Sequence, residues 1–171
     1  MKKGLVHIYT GNGKGKTTAA LGLALRALGH KQKVCLIQFM KKGSYGELRS
    51  LQKLQGITIR QFGTSQLIKK GKVTDRDKKE AAAALRFAAK TISQKFDLVI
   101  LDEIIVAIHF GLIEEPKVLE LIKEKPKTLE LVLTGRKVSA KIISTADLVT
   151  EMKEIKHYYR QGVTARKGIE Y

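Results

Sequence analysis

Near the start of the chain, residues 10–18 read Thr10-Gly11-Asn12-Gly13-Lys14-Gly15-Lys16-Thr17-Thr18, and this glycine-rich stretch decides the fold. Residues 5–9, which precede it, form a short β-branched run typical of a buried strand. Residues 16–28 then carry the apolar spacing of a helix that ends at Gly29. Glycines in such a turn let backbone N–H groups point inward at an anion, and the helix N-terminus adds partial positive charge. The order of strand, loop and helix therefore predicts a phosphate-binding loop.

Two side chains of this loop suit the chemistry of a nucleoside triphosphate. Lys16 can reach the distal phosphates, and the hydroxyl of Thr17 can bind Mg²⁺. The standard pattern has a glycine where this chain has Thr10, so the loop is a variant of the usual sequence. We assign ATP binding to Gly11, Asn12, Gly13, Lys14, Gly15, Lys16, Thr17 and Thr18.

A second signal is an apolar run that ends in two acidic residues. Residues 96–103 read Phe96-Asp97-Leu98-Val99-Ile100-Leu101-Asp102-Glu103. A carboxylate at the end of a buried strand is costly without a cation, and Mg²⁺ is the expected partner, directly or through water. We therefore predict Thr17, Asp102 and Glu103 as metal ligands, and Lys16, Asp102 and Glu103 as the catalytic set. A solvated pair of carboxylates at the strand end is the alternative interpretation.

A third candidate is Arg136, which follows another buried strand in the run Leu133-Thr134-Gly135-Arg136. An arginine at this edge of the sheet can bind a phosphate in bidentate fashion, and we include it among the ATP-binding residues. On spacing alone, an arginine on the protein surface is an equal alternative.

The rest of the chain alternates between strand and helix patterns. We predict strands over 5–9, 34–39, 57–62, 97–102, 129–133 and 147–151, and helices over 16–28, 46–55, 75–95, 116–124 and 138–145. Thr74 with Asp77 forms a variant capping box, and Pro116 suits a first helical turn. This alternation predicts an α/β, P-loop NTPase-like three-layer fold with a mainly parallel sheet, built as one domain over residues 1–171. Ligands then bind at the carboxyl ends of the strands.

Composition narrows the class of protein. The 171 residues carry a net charge of +17, from 33 basic and 16 acidic residues, which favours anionic partners. The lysines are dispersed with few aromatic residues between them, so a solvated surface is favoured over a nucleic-acid-binding face. The single cysteine, Cys35, lies in an apolar strand pattern and excludes an internal disulfide. We expect a cytoplasmic protein with no leader peptide and no membrane span.

Taken together, these motifs resemble the ATP:corrinoid adenosyltransferases of the P-loop class. The resemblance rests on 11–20, 37–39, 46–47, 99–103, 133–136, 146–152, 156–157, 162–163 and 165–170. It implies transfer of the 5′-deoxyadenosyl group of ATP to the Co(I) of a reduced corrinoid, such as cob(I)alamin or cob(I)yrinic acid a,c-diamide. Tripolyphosphate is released, in the biosynthesis or salvage of adenosylcobalamin. Co(I) is itself the nucleophile, so no catalytic serine, cysteine or histidine is needed.

The resemblance also implies the partners and a corrinoid side of the site. It implies that ATP and Mg²⁺ bind at the loop and that the corrinoid is the acceptor. It also implies a homodimer and an electron-donor protein as a further partner. Neither nucleic acid nor a membrane is an expected partner. Residues 63–73 and 152–171 lack periodicity, and we expect Leu67, Ile68, Arg166 and Ile169 to contact the corrinoid. Two alternatives are a P-loop ATPase or kinase linked to nucleic acid, and a nucleotide-binding module without catalysis.

Overall fold

The computed structural model describes residues 3–64 and 73–170, and these form a sheet flanked by helices. The strands are β1 (Val6–Thr10), β2 (Val34–Phe39), β3 (Ile57–Phe62), β4 (Leu98–Asp102), β5 (Glu130–Thr134) and β6 (Leu148–Glu151). The helices are α1 (Lys16–Gly29), α2 (Gly46–Leu51), α3 (Asp75–Ile92), α4 (Ile104–His109), α5 (Glu115–Glu124) and α6 (Ala140–Ile143), followed by a 3₁₀ helix over Tyr158–Gln161.

The six strands pair in the order β3-β2-β4-β5-β1-β6, and every pairing is parallel. Every residue of β2 and β4 is buried, as expected for central strands covered on both faces. The last strand, β6, lies at an edge of the sheet and all of its residues are exposed. The prediction of a mainly parallel α/β sheet is confirmed.

Two apolar clusters, one on each face of the sheet, pack the helices against it and give a fold of three layers. On one face, α1 and α2 pack on the sheet through side chains such as Leu21 and Leu48. On the other face, α3, α4 and α5 pack through Ala84, Ile105 and Leu121. The small side chains that α3 turns to the sheet allow close packing of helix against strand.

Local sequence explains where several helices begin. The Thr74 hydroxyl accepts from the backbone N–H of Asp77 at 3.2 Å and the Asp77 carboxylate accepts from the backbone N–H of Thr74 at 3.0 Å, which confirms the predicted capping box. Helix α5 begins one residue before the predicted position, and Pro116 lies in its first turn.

Three helix predictions need correction, and one helix was missed. The segment predicted over 46–55 ends at Leu51, the one over 75–95 ends at Ile92, and the one over 138–145 contracts to 140–143. Helix α4 was not predicted, because the β-branched run after Glu103 has the composition of a continuing strand.

The carboxyl ends of the parallel strands meet at one edge of the sheet. Thr10, Phe39, Asp102 and Thr134 each end a strand there. This edge brings the predicted loop and the predicted acidic residues together. Within residues 3–64 and 73–170, no helix is long and apolar enough to span a bilayer.

Candidate active site

The glycine-rich loop connects β1 to α1 at the carboxyl edge of the sheet. Gly15 caps α1 with a φ of 115°, which a side chain would strain. A Cβ on Gly13 would lie 2.7 Å from the carbonyl oxygen of Met152, and one on Gly11 would lie 2.4 Å from the same oxygen. Both glycines are therefore required by the close approach of another segment of the chain.

That segment continues from β6 and fastens the loop. The backbone N–H of Met152 donates to the carbonyl oxygen of Thr10 at 2.8 Å, which extends the pairing of β1 with β6. The N–H of Gly13 in turn donates to the carbonyl oxygen of Met152 at 2.7 Å. The loop is thus hydrogen-bonded to the chain that leaves the edge strand β6.

Lys16 lies inside the curve of the loop. Its side chain is buried, with the whole residue 7% exposed, and its ammonium donates to the carbonyl oxygens of Gly11 at 2.8 Å and Gly13 at 2.7 Å. Burial lowers the pKa of Lys16, and the charge of Arg136 lowers it further. A phosphate anion in the loop would counter this lowering of the pKa. Its negative charge would stabilise the Lys16 ammonium more than the partial charges of the two carbonyl oxygens do.

Asp102 is fully buried and accepts hydrogen bonds on both oxygens. Oδ1 accepts from the hydroxyls of Thr17 at 2.8 Å and Thr134 at 2.7 Å. Oδ2 accepts from the Gln38 amide at 3.0 Å and from the Lys41 ammonium at 2.7 Å. Burial raises the pKa of Asp102, but Lys41 and the hydroxyl donors outweigh it and hold the pKa below its usual value.

The side-chain cation beside Asp102 is Lys41, and Mg²⁺ at this strand end stays a prediction. Lys41, Gln38 and Thr134 were missed as site residues. Gln38 carried a usable signal, because it is a polar residue inside the otherwise apolar strand β2. Lys41 carried none, because it is one of two adjacent lysines after a strand in a lysine-rich chain.

Glu103 turns the chain from β4 into α4. Its φ is 64°, in the left-handed region that non-glycine residues seldom occupy, and its N–H donates to the Thr134 hydroxyl at 2.9 Å. Burial raises the pKa of Glu103, and the neighbouring Asp102 carboxylate raises it further. Such a strained residue beside a phosphate loop is typical of a functional site.

Arg136 is exposed and follows Gly135, which packs directly on α4. Its charge acts on both Lys16 and Glu103, so the sheet edge does bring the arginine near the loop. Asn12 is exposed on the loop, and Thr18 is exposed in the first turn of α1.

The oxygen donors suit Mg²⁺ bound together with a nucleotide. In the described ranges, no group of three or more histidine, cysteine or acidic side chains could hold a metal by itself. Mg²⁺ commonly takes one or two protein oxygens and completes its octahedron with phosphates and waters. Thr17 Oγ1 and Asp102 Oδ1 lie 2.8 Å apart at the mouth of the loop, which fits that arrangement.

The predicted corrinoid contacts fall in two places. Arg166 and Ile169 lie on residues 158–170, the C-terminal segment, where Ile169 is 60% exposed and Arg166 forms an ion pair with Glu170. Leu67 and Ile68 lie outside the described residues.

An all-parallel sheet with a phosphate loop after its first strand defines a P-loop nucleotide-binding protein. The sequence matches the family described as ATP:corrinoid adenosyltransferase BtuR/CobO/CobP over residues 2–171, and the chain belongs to that family. It is 37% identical to a corrinoid adenosyltransferase of Sinorhizobium sp, covering 99% of this chain and 81% of that protein. It is 35% identical to the corrinoid adenosyltransferase of Pseudomonas aeruginosa and 32% identical to that of Escherichia coli K12, covering 99% of this chain in each case and 85% and 87% of those proteins.

Proposed function

We propose that the chain transfers the 5′-deoxyadenosyl group of ATP to the Co(I) of a reduced corrinoid. In this reaction the cobalt electron pair forms the Co–C5′ bond, the C5′–O bond breaks, and its electrons leave with tripolyphosphate. The observation that carries the proposal is the placement of Lys16, whose ammonium lies buried within the loop where a triphosphate would bind.

The leaving group determines what the protein must supply. A departing tripolyphosphate gains negative charge, and preorganised donors that face this charge lower the barrier. The Gly13 N–H already donates to the carbonyl oxygen of Met152. The other backbone N–H groups from Gly11 to Thr18 and the Lys16 ammonium are the donors that the loop offers, and Arg136 adds a cation from the turn after β5. We assign the ATP-binding role to this set, with Lys14 contributing its backbone rather than its side chain.

Mg²⁺ is the proposed cofactor of the nucleotide. Thr17 would hold it directly, with Asp102 and Glu103 acting through water or after Lys41 has moved away. When bound, the ion neutralises phosphate charge and orients the chain of phosphates. Asp102 fixes the Thr17 hydroxyl through the 2.8 Å hydrogen bond, so the hydroxyl oxygen is already oriented.

The proposal requires no nucleophilic side chain. Cys35, the single thiol, is buried in β2, and burial raises its pKa to about 11, so it stays protonated. The alternative of an ATPase or kinase is not favoured, because the family and the relatives described above are all corrinoid adenosyltransferases. We further propose Leu67, Ile68, Arg166 and Ile169 for the corrinoid side, a homodimer, an electron-donor partner and a cytoplasmic location.

The test is to mix the protein with Mg-ATP and chemically reduced corrinoid and to follow both products. We expect a light-sensitive adenosylcorrinoid in the visible spectrum and tripolyphosphate in equal amount. The matched control is the same mixture with the oxidised corrinoid, which lacks the Co(I) nucleophile and should yield neither product. ADP and orthophosphate formed at the same rate with and without corrinoid would overturn the proposal.

A further inference from the structure

The two lysines of the phosphate loop point in opposite directions. Lys16 turns inward to the loop carbonyls, whereas Lys14 turns outward to the C-terminal segment. The Lys14 ammonium donates to the Tyr158 hydroxyl at 2.8 Å, to the Glu170 carboxylate at 3.1 Å and to the Ile169 carbonyl oxygen at 3.3 Å. With all three of its N–H donors directed at the segment, the Lys14 side chain is committed to it and not to the phosphate cradle.

Glu170 is the centre of these contacts. Its carboxylate accepts from the Tyr158 hydroxyl, from the Lys14 ammonium and from both the backbone N–H and the guanidinium of Arg166. The Arg166 guanidinium also lies 5.0 Å from the centre of the Tyr158 ring. The Glu170 side chain is only 15% exposed although it lies near the end of the chain. We call Lys14, Tyr158, Arg166 and Glu170 the C-terminal clamp.

A separate contact holds the chain ahead of this segment, at Met152. Gly13 bonds to Met152 through the backbone, and this bond does not involve the clamp. Loss of the clamp would therefore release residues 158–170 while the loop keeps its support from β6. The contact with Met152 therefore supports the shape of the loop, whereas the clamp sets the position of residues 158–170.

We propose that Glu170 is a positioning residue that acts through Lys14 to fasten residues 158–170 against the outer side of the phosphate loop. The Lys14 side chain is then an anchor for the C-terminal segment and not a ligand of ATP. Insofar as the segment serves the corrinoid, this inference rests on the proposed function. The clamp places Arg166 and Ile169 beside the loop that holds the adenosyl donor, so its loss should affect the acceptor and not the donor.

The experiment uses full-length Lys14→Met, Glu170→Gln and the double variant. Glu154→Gln is the matched control, because Glu154 pairs at 2.6 Å with Arg160, which lies in 158–170, and forms no ion pair with the loop among the described residues. The first measurement is hydrogen exchange of residues 158–170 in the nucleotide-free protein. The second is the Kd of Mg-ATP without corrinoid, and the third is the KM of reduced cobalamin and of ATP.

We expect both single variants to speed exchange in 158–170 several-fold. The double variant should show less than the product of the two single effects, because the contact between Lys14 and Glu170 is already lost in either single variant. The Kd of Mg-ATP should stay within about twofold while the corrinoid KM rises and kcat changes little. Lys14→Arg, which keeps the positive charge, should show the wild-type exchange rate in 158–170. Glu154→Gln should leave the corrinoid KM unchanged.

Two results would overturn the inference. One is exchange in 158–170 that is unaffected by either single variant. The other is a loss of more than about tenfold in ATP affinity for Lys14→Met with tighter binding for Glu170→Gln, since Lys14 would then bind phosphate and Glu170 would compete for it. The hydrogen-exchange measurement does not require the protein to form any adenosylcorrinoid. Faster exchange in a protein that forms no adenosylcorrinoid would support the clamp and overturn the proposed function.

Discussion

The ammonium of Lys41 lies 2.7 Å from Oδ2 of Asp102, whose side chain is fully shielded from solvent. The chain reaches this position through Met40, whose φ of 57° turns the backbone after β2. The N–H of Lys41 donates to the carbonyl oxygen of Phe62 at 3.3 Å, so the end of β3 holds the turn as well. The protein thus carries its own counter-ion for the acidic strand end.

This pairing should dominate the stability of the sheet edge. In Lys41→Met, the Asp102 carboxylate stays buried without a cation, so the free energy of unfolding should fall by about 3–5 kcal/mol. Urea unfolding at neutral pH measures the change. Lys117→Met is the control, because Lys117 pairs with Glu114 at the same 2.7 Å on the surface and should lose at most about 1 kcal/mol. Equal losses for the two variants would contradict the prediction.

Lys16 should matter for turnover more than for folding. Removing its ammonium takes one preorganised charge away from the departing tripolyphosphate, so Lys16→Ala should lower kcat by about 10²–10³. The assay measures tripolyphosphate formed with saturating reduced corrinoid. Lys90→Ala, an exposed lysine at the end of α3, should keep full activity. Turnover near the wild-type rate in a folded Lys16→Ala protein would refute the assignment.

The contact between the loop and Met152 predicts opposite effects of alanine at two glycines. Gly13→Ala places a Cβ 2.7 Å from the Met152 carbonyl oxygen, so it should displace the loop and weaken Mg-ATP binding by an order of magnitude or more. Gly22 lies on the exposed side of α1, and a Cβ added there would meet no atom within 4 Å. Gly22→Ala should therefore raise the free energy of unfolding by about 0.5–1 kcal/mol without changing ATP affinity. Calorimetry and thermal melts measure both. ATP binding unchanged in Gly13→Ala would show that the loop adapts to the extra carbon.

Cys35 should make stability fall at alkaline pH. Burial raises the pKa of its thiol from 9.0 to about 11, so the folded protein keeps the proton that the unfolded chain loses above pH 9. The unfolded state then binds fewer protons, and the free energy of unfolding decreases as pH rises from about 9 to about 11. Between pH 8 and pH 10 the difference between wild type and Cys35→Ala should shrink by roughly 1.4 kcal/mol. A difference that stays constant with pH would contradict this.

The sequence predicted the sheet well because its strands are short apolar runs between polar residues. β2 and β3 were predicted to the residue, and the other strands to within one residue at either end. Helix α4 was missed because its start depends on the positive φ of Glu103, which the local sequence of isoleucine and valine does not indicate. Helix ends such as Ile92 depend on tertiary contacts that no local pattern carries.

The site was predictable where the local order of residues fixes the geometry, and not where distant segments meet. The loop, Asp102 and Glu103 follow from strand, loop and helix in order. The pairing of Asp102 with Lys41 requires two strands to lie side by side with their ends aligned, and the contact of Lys14 with Glu170 joins the two ends of the chain. Contacts between residues so far apart in sequence have no local signal.

The hydrogen bonds of Met152 with Thr10 and Gly13 determine when the loop gains its support during synthesis. A ribosome that has synthesised β1 to β5 has already made the glycine-rich loop, but not the strand on which the loop rests. Domains on the ribosome complete their folding when their last elements emerge, and contacts between distant residues form late. The loop of the nascent chain therefore gains its support only once residue 152 has left the exit tunnel. Because ATP stabilises only the state that binds it, a chain that stops before residue 152 should gain less of that stabilisation.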